Sequence, residues 1–231
     1  MKISIITVTF NSVSVINDCL ASVKSQKYNN IEHIIIDGAS TDGTLTLLES
    51  EREKFTTLVS EPDEGIYYAM NKGINIAKGD IIGFLNSDDL YENNEVITKV
   101  VKEFQNDASL EACYADLVYV GKFNTSKIIR YVKSSQFKAG MFSKGWCPPH
   151  PTFFVRRSVY DTLGNFDLNY YIASDVDLMM RFLEIHKIKS RYIPEIWVKM
   201  RVGGTTNRNF KNIYLQNLEI LNSFNKNGLI V

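Results

Sequence analysis

The 231-residue sequence lacks the features of disulfide-bonded and membrane-spanning proteins. Its three cysteines, Cys19, Cys113 and Cys147, are far apart and form no CxxC pair, a pattern that favours free thiols in a reducing compartment. The apolar run from Ile3 to Phe10 is interrupted by polar side chains, is too short to cross a bilayer and lacks a cleavage-site pattern. We therefore expect a cytoplasmic protein, with attachment to the inner face of the plasma membrane left open.

An excess of charge of one sign is lacking as well. The 26 lysine and arginine residues are balanced by 26 aspartate and glutamate residues, so the formal net charge is zero. Such a chain has no overall field that would attract nucleic acid, and we expect no nucleic-acid partner. The apolar fraction of 45% is ordinary for a soluble globular protein. Without an internal repeat or a low-complexity linker, residues 1–231 are expected to form a single domain.

Two common ligand-binding loops are excluded at residues 37–44, Asp-Gly-Ala-Ser-Thr-Asp-Gly-Thr. A calcium loop of the EF-hand type needs a side-chain oxygen at its third position and glycine at its sixth, where this segment has Ala39 and Asp42. A phosphate-binding Walker loop needs Gly-Lys-Ser/Thr, which does not follow. What remains is a carboxylate, Asp37, at the end of a strand beside a helix start, or a tight turn that only caps the helix.

The most informative segment that is present runs from 79 to 89, Gly-Asp-Ile-Ile-Gly-Phe-Leu-Asn-Ser-Asp-Asp. Its apolar run is typical of a strand buried on both faces, and it ends abruptly in Asn86, Asp88 and Asp89. Neighbouring carboxylates repel each other unless a cation or hydrogen-bond donors lie between them, and Mg²⁺ or Mn²⁺ shared with substrate phosphates would relieve this repulsion. The alternative is a turn in which Asp89 caps the following helix.

Strand and helix patterns alternate through the first third of the chain, which predicts an α/β fold with a mostly parallel central sheet and helices on both faces. Acidic residues follow three of these strands, so we expect a binding rim at one edge of the sheet. Beyond residue 104 the pattern changes, and 112–120 and 127–132 predict a smaller mixed sheet. The predicted first-half strands are Ile3–Val8, Ile34–Ile36, Thr57–Ser60 and Ile81–Leu85, and the acids are Asp37, Glu61, Asp63, Asp88 and Asp89.

Two later segments carry further candidates. His150 lies among Pro148, Pro149 and Pro151, which fix the backbone around it, and it is either a packed structural histidine or a ligand contact. The sequence Ala-Ser-Asp-Val-Asp-Leu at 173–178 places two carboxylates in the first turn of a predicted helix. The helix dipole favours anions there, so a purely structural role is an alternative for both.

With these segments placed, the chain resembles the family 2 glycosyltransferases of the GT-A fold. Four motifs carry the resemblance, in order along the chain: Ile-Thr-Val-Thr-Phe-Asn at 6–11, the segment 37–44, Phe-Leu-Asn-Ser-Asp-Asp at 84–89 and the segment 173–178. The stretch 60–73, Ser-Glu-Pro-Asp-Glu-Gly-Ile-Tyr-Tyr-Ala-Met-Asn-Lys-Gly, is similar to members that build bacterial surface polysaccharides.

The resemblance implies an inverting transfer of one sugar from a nucleotide-sugar, often a UDP-sugar, with Mg²⁺ or Mn²⁺ as cofactor. It implies a saccharide or lipid-linked acceptor, a nucleotide-sugar-binding half at 1–90, an acceptor half at 91–206 and a C-terminal helix at 207–231. The Gln/Arg-x-x-Arg-Trp signature of processive polymer synthases is absent from the sequence, so a single sugar per event is expected.

Site residues follow from the resemblance by position. Asp175 matches the catalytic base, with Ser174 where many members have glutamate. Asn86, Ser87 and Asp88 match the Asp-x-Asp signature with asparagine in first place, so the metal is expected to rest on Asp88. The remaining implied contacts are Val8, Thr9, Phe10 and Asp37 at the nucleobase, Asp63 in the donor site, Lys72, Arg201 or Arg208 as a cation at the phosphates, and His150 or Arg201 toward acceptor or phosphate.

Two rival functions stay open. A sugar-phosphate nucleotidyltransferase can share an α/β architecture, but it would need a glycine-rich basic loop after the first strand, where Thr9-Phe-Asn-Ser stands. A non-catalytic subunit that binds nucleotide-sugars would be favoured by loss of the base or metal position, yet Asp88 and Asp175 are both present. Release of UDP from UDP-sugars in the presence of a divalent ion distinguishes both rivals from a transferase.

Overall fold

The structure is a computed structural model that describes residues 1–203 and 210–229. These described residues contain nine strands and seven α-helices. The strands are β1 Ile3–Thr9, β2 Ile31–Asp37, β3 Thr57–Ser60, β4 Ile81–Phe84, β5 Leu90–Tyr91, β6 Ala112–Val120, β7 Ile128–Val132, β8 Phe154–Arg156 and β9 Ser190–Arg201. The helices are α1 Ile16–Lys24, α2 Thr44–Ser50, α3 Ile66–Ile76, α4 Val96–Asn106, α5 Arg157–Leu163, α6 Ser174–Met180 and α7 Phe210–Lys226, and a π-helical turn, Arg181–Ile185, extends α6.

The first four strands form the parallel arrangement that the sequence predicts. β1 lies between β2 and β4 and is parallel to both, and β3 adds to the outer edge of β2, also in parallel. Parallel strands present their carboxyl ends at one edge of a sheet. Asp37 ends β2 opposite Thr9 of β1, and Asp88 follows β4, so these two acids lie at one edge of the sheet, as predicted.

The mixed strands predicted for the second half are present, but they do not form a sheet of their own. The strands of the second half join the same sheet, in the order β3-β2-β1-β4-β8-β6-β9-β5, with β7 paired to β6. Antiparallel β8 makes the connection, because it pairs with β4 on one side and with β6 on the other. Residues 190–201 form one long strand, β9, whose pairing with β6 shifts register near Asp116.

Alternation along β1 explains why helices cover both faces of the sheet. Ile6 and Val8 point into a cluster with α3, whereas Ile3 and Ile5 point into a second cluster with α1 and α4. α3 lies especially close to β1, since a Cβ atom added at Gly73 would be 2.4 Å from the Ile6 side chain. This close packing holds the start of α3 beside the rim.

Within the described ranges, the structure contains no helix long and apolar enough to cross a membrane.

Candidate active site

An exposed aromatic ring marks one end of the rim. Phe10, directly after β1, is 64% exposed, whereas Val8 and Thr9 before it are buried. A Cβ atom added at Gly38 would be 3.4 Å from the Phe10 ring and 2.9 Å from Oδ2 of Asp63. The structure therefore brings the predicted residues Phe10 and Asp63 together around the backbone of Gly38, with the phenyl ring available to a planar ligand.

Asp37 stabilises the loop at 38–40, next to Phe10. Its side chain is fully buried and accepts hydrogen bonds from the Ser40 backbone N–H at 3.1 Å, the Ser40 hydroxyl at 2.5 Å and the Ser60 hydroxyl at 2.6 Å. Ala39, inside the loop, adopts a φ of 60°, a left-handed conformation that a residue with a side chain rarely takes. The carboxylate of Asp37 thus holds the 38–40 loop in its strained course.

In the segment after β4, one carboxylate is partly exposed and the next is buried. Asp88 is partly exposed, whereas Asp89 has no exposed surface. Burial raises the pKa of the Asp89 carboxyl well above its usual range, and the Asp88 charge acts in the same direction. Asn86 lies beside them, and its buried Oδ1 has no hydrogen-bond partner within the described residues. Of the two carboxylates, Asp88 is therefore the one that solvent reaches.

Arg201 braces this segment from β9. Its buried guanidinium forms an ion pair with Asp18 and donates to the backbone carbonyls of Asp88 at 2.7 Å and Lys122 at 3.0 Å. These bonds engage Nε, Nη1 and Nη2, which favours support of the Asp88 backbone over the predicted direct contact with acceptor or phosphate. Arg208, the other predicted arginine, lies outside the described residues.

Lys72 remains a cation at the rim, but with a partner. Its ammonium lies 2.9 Å from a carboxylate oxygen of Glu61 and donates to the carbonyl of Pro62 at 3.3 Å. The side chain is only partly buried, so water screens this pair and the bond is weak enough to exchange for a phosphate.

Asp175 occupies the first turn of α6 with one oxygen bound and one available. Its Oδ1 accepts from the Val176 N–H at 2.9 Å and faces the Tyr67 hydroxyl at 3.0 Å, whose single proton is shared with the carbonyl of Ile172 at 2.6 Å. Within the part of the chain that the structure describes, Oδ2 of Asp175 accepts no hydrogen bond. A carboxylate held by one oxygen and open at the other has the geometry of a general base.

The neighbouring Asp177 has a different environment. It is buried, forms an ion pair with Arg181 at 2.8 Å and accepts a hydrogen bond from Ser223 at 2.5 Å and another from Asn227 at 3.2 Å. Ser223 belongs to α7 and Asn227 follows it directly, so Asp177 joins α6 to the C-terminal helix. Its oxygens are occupied by these structural contacts.

Sequence reasoning missed one residue that shapes the site, Glu219 of α7. Its buried carboxylate accepts from three consecutive backbone N–H groups, those of Tyr171, Ile172 and Ala173, at 2.8–2.9 Å. These groups directly precede α6, so Glu219 fixes the chain that delivers Asp175. The only sequence signal is an acid at a position on α7 that turns out to be buried, and its partners lie 46–48 residues away.

His150 is a packed aromatic residue under the site. Its ring centroid lies 5.3 Å from that of Phe84, at the end of β4, and 5.6 Å from that of Phe166. Burial lowers the pKa of His150, although the nearby Asp175 charge opposes the shift. A neutral, enclosed imidazole fits the structural interpretation better than a contact with acceptor or donor.

A divalent metal fits this edge of the sheet only if substrate phosphates supply the ligands that the protein does not. Within residues 1–203 and 210–229, no three histidine, cysteine, aspartate or glutamate side chains converge on one point. Mg²⁺ is usually held by one or two carboxylates together with substrate phosphates, and Mn²⁺ also suits oxygen ligands. Asp88 can supply one carboxylate, so the donor set suits a metal that arrives with a diphosphate.

Comparison with known proteins assigns the chain to a family. The model described as glycosyl transferase family 2 matches residues 4–164. The chain belongs to this family. An uncharacterised glycosyltransferase of Mycobacterium tuberculosis is 32% identical over 181 residues, which cover 78% of this chain and 68% of that protein. A PGL/p-HBAD biosynthesis glycosyltransferase of Mycobacterium bovis is 28% identical over 220 residues, covering 93% of this chain and 83% of that protein.

Solved structures confirm the predicted GT-A type of fold for this family 2 chain. TarS 1–349 of S. aureus, in complex with UDP-GlcNAc, matches with a TM-score of 0.72 at 21% identity, over 96% of this chain and 67% of that chain. The mannosyltransferase PcManGT of Pyrobaculum calidifontis, in complex with GDP-Man and Mn²⁺, also matches with a TM-score of 0.72, at 19% identity, over 97% of this chain and 63% of that chain.

The role of Glu219 leads to a first prediction. Glu219→Gln places an amide N–H₂ against backbone donors, so the segment before α6 should shift and kcat should fall by up to about 10²-fold, with the donor KM unchanged. Steady-state kinetics and denaturant unfolding would measure both effects. Glu32→Gln is the matched control, because Glu32 is also buried and accepts a backbone N–H, but at the opposite end of the sheet. Equal kcat in the two variants would contradict the positioning role.

Proposed function

We propose that this chain is a metal-dependent, inverting glycosyltransferase that moves one sugar from a nucleotide-sugar to a saccharide or lipid-linked acceptor in surface polysaccharide synthesis. The observation that carries the proposal is a pair of carboxylates: Asp88 is partly exposed after β4, and Asp175, beside Tyr67 at the start of α3, accepts no hydrogen bond at Oδ2 within the described residues. The nucleotide-sugar would occupy residues 1–90 and the acceptor would approach from residues 91–206.

The donor half supports a UDP-sugar as ligand. The uracil would lie against the exposed Phe10 ring, flanked by Asp63 and by the 38–40 loop that Asp37 holds. Val8 and Thr9 are buried and would act through the backbone at the end of β1. TarS was solved with UDP-GlcNAc and PcManGT with GDP-Man, so both uridine and guanosine donors occur among proteins of this fold.

The diphosphate would lie across Asn86, Ser87 and Asp88. When bound at Asp88, Mg²⁺ or Mn²⁺ would neutralise the charge that develops on the leaving diphosphate. Asn86, whose amide oxygen accepts no hydrogen bond within the described residues, would accept one from the ribose. Lys72 can exchange Glu61 for a phosphate oxygen and add a cation.

Asp175 would take the proton from the acceptor hydroxyl through Oδ2 while Tyr67 and Val176 hold Oδ1. The deprotonating hydroxyl attacks the anomeric carbon, the bond to the diphosphate breaks on the opposite face, and the configuration inverts in a single displacement. A cavity of about 180 Å³ beside Tyr67, lined also by Tyr68, Leu168, Tyr170 and Tyr171, offers aromatic surface on which an acceptor sugar could pack.

A second prediction tests the metal assignment. Asp88→Asn should lose the metal-dependent part of UDP binding, because a neutral amide is a weaker ligand for a hard divalent ion than the carboxylate that it replaces. Titration calorimetry with UDP, in Mn²⁺ and separately in EDTA, measures it. The parent and the variant should bind UDP alike in EDTA and differ in Mn²⁺. A variant that binds UDP and Mn²⁺ as the parent does would remove Asp88 from the metal site.

A non-catalytic nucleotide-sugar-binding subunit and a sugar-phosphate nucleotidyltransferase remain the rival functions. The first predicts UDP-sugar binding with no release of UDP, and the second predicts pyrophosphate exchange with a nucleoside triphosphate. Incubation with UDP-sugars and Mn²⁺ separates them, since a transferase slowly transfers the sugar to water and releases UDP. We propose a cytoplasmic location, with peripheral association at the inner face of the plasma membrane.

A further inference from the structure

The net charge of zero conceals a basic segment. Between Asp116 and Asp161 the chain contains no aspartate or glutamate. The same interval contains eight lysine and arginine residues: Lys122, Lys127, Arg130, Lys133, Lys138, Lys144, Arg156 and Arg157. In a protein with equal numbers of acids and bases, such a separation creates a strong local field.

The first four of these cations lie on one exposed structure, the turn from β6 to β7 and the strand β7 itself. We call residues 121–133 the basic hairpin. All four side chains are exposed, and none forms an ion pair with a carboxylate within the described residues. Many other lysine and arginine residues of this chain do form ion pairs, for example Lys99 with Glu195 and Arg191 with Glu103. The hairpin charge is thus available to an anionic partner.

Large apolar side chains project from the same hairpin. Phe123 is 87% exposed, and Ile128 and Ile129 are 57% and 53% exposed. The ammonium of Lys122 lies 5.4 Å from the centre of the Phe123 ring, so charge and apolar surface are directly adjacent. Isolated exposed apolar residues are ordinary, but three of them among four cations that form no ion pair in the described part of the chain make a surface that is both apolar and basic.

The hairpin is attached to the rim through Arg201. The Arg201 guanidinium donates to the carbonyl of Lys122, at the start of the hairpin turn, and to the carbonyl of Asp88, in the loop after β4. The base of the hairpin therefore lies within a few bond lengths of the donor site. A surface bound to the hairpin would lie next to the place where the sugar leaves the nucleotide.

We propose that the basic hairpin docks this protein on an anionic phospholipid bilayer, with the four cations over the headgroups and Phe123, Ile128 and Ile129 in the interface. Polybasic segments are attracted to anionic lipid surfaces, and apolar side chains add affinity by entering the headgroup boundary. Aliphatic side chains favour lipid over a nucleic acid, whose bases stack on aromatic rings. The proposal goes beyond the transfer reaction and explains how a lipid-linked acceptor would meet the site.

Vesicle flotation with the full chain, without nucleotide-sugar, tests the docking surface. The chain should bind vesicles of phosphatidylcholine with phosphatidylglycerol, fail to bind phosphatidylcholine alone, and dissociate as salt is raised. The triple change Lys122→Gln, Lys127→Gln, Arg130→Gln should lower the partition coefficient by about 100-fold. The matched control, Lys102→Gln, Lys187→Gln, Lys211→Gln, changes the net charge equally at exposed sites elsewhere and should bind as the parent does.

A second variant separates lipid from other partners. Phe123→Ser, Ile128→Ser, Ile129→Ser should reduce vesicle binding by about tenfold or more at an unchanged melting temperature. Three results would overturn the proposal: no binding to anionic vesicles, equal binding by the hairpin and control charge variants, or full vesicle binding by the apolar variant. The last result would indicate a general polyanion site, and hairpin-dependent self-association in light scattering would indicate a second copy instead. UDP release from a soluble donor is measured separately, so failure of docking leaves the proposed transfer reaction intact.

Discussion

Asp175→Asn is expected to lower turnover by about 10²–10⁴-fold, the usual effect of removing a general base. The amide keeps an oxygen for the Val176 N–H and the Tyr67 hydroxyl, so the start of α6 should keep its structure. The amide cannot accept the acceptor proton. Donor affinity and melting temperature should therefore stay close to those of the parent while kcat falls. Transfer assays with purified protein, alongside UDP titrations, measure the three quantities together.

Tyr67→Phe provides a graded comparison for Asp175. It removes the hydroxyl that contacts both Asp175 and the Ile172 carbonyl, but it keeps the carboxylate. A smaller loss of kcat than in Asp175→Asn would fit a positioning contact. Near-normal turnover in Asp175→Asn would contradict the assignment and leave Asp175 with only the role of a helix-start carboxylate.

Asp177→Ala is expected to have the opposite outcome, a large loss of stability. The change removes a 1% exposed carboxylate and leaves Arg181 without its ion-pair partner and the Ser223 hydroxyl without its acceptor, whereas Asn227 keeps its hydrogen bond to the Ser223 carbonyl. Breaking a buried pair by removing one member typically costs about 3–5 kcal/mol. Denaturant unfolding should show a loss of this order. At a temperature where the variant is folded, its kcat should exceed that of Asp175→Asn.

A loss of less than about 1 kcal/mol in Asp177→Ala would mean that only helix-start electrostatics act there. This smaller value is all that the sequence supports, because a carboxylate in the first turn of a helix is worth about 0.3–1 kcal/mol. The larger expectation depends on α7, which covers Asp177 from 46 residues further along the chain.

The parallel half of the fold, from β1 to β4, can be predicted from the local hydrophobic pattern of the sequence. Strands β1 to β4 are short apolar runs separated by amphipathic helices, and β–α alternation restricts such a chain to a parallel sheet with a common ligand edge. The positions of Asp37 and Asp88 follow from this arrangement, since Asp37 ends β2 and Asp88 lies in the loop after β4. These elements can be predicted because apolar residues recur every two positions in a strand and every 3.6 positions in a helix.

The strand order of the second half cannot be predicted from local pattern, because it depends on contacts between segments that are distant in the sequence. β8 joins the halves into one sheet by pairing with β4 and with β6, and nothing in its three residues specifies those neighbours. The supporting roles of Glu219 and Arg201 have the same cause. Arg201 forms an ion pair with Asp18, 183 residues away in the sequence, and motif spacing cannot predict a contact between residues so far apart.

Nucleotide release from a panel of UDP-sugars and GDP-mannose, with and without Mn²⁺, tests the proposed transferase most directly. Parent protein should release the nucleotide from at least one donor only when Mn²⁺ is present, and Asp88→Asn and Asp175→Asn should each abolish or strongly slow that release. Release that is as fast in both variants as in the parent, or no release from any donor in the panel, would contradict the proposal that this rim transfers sugars.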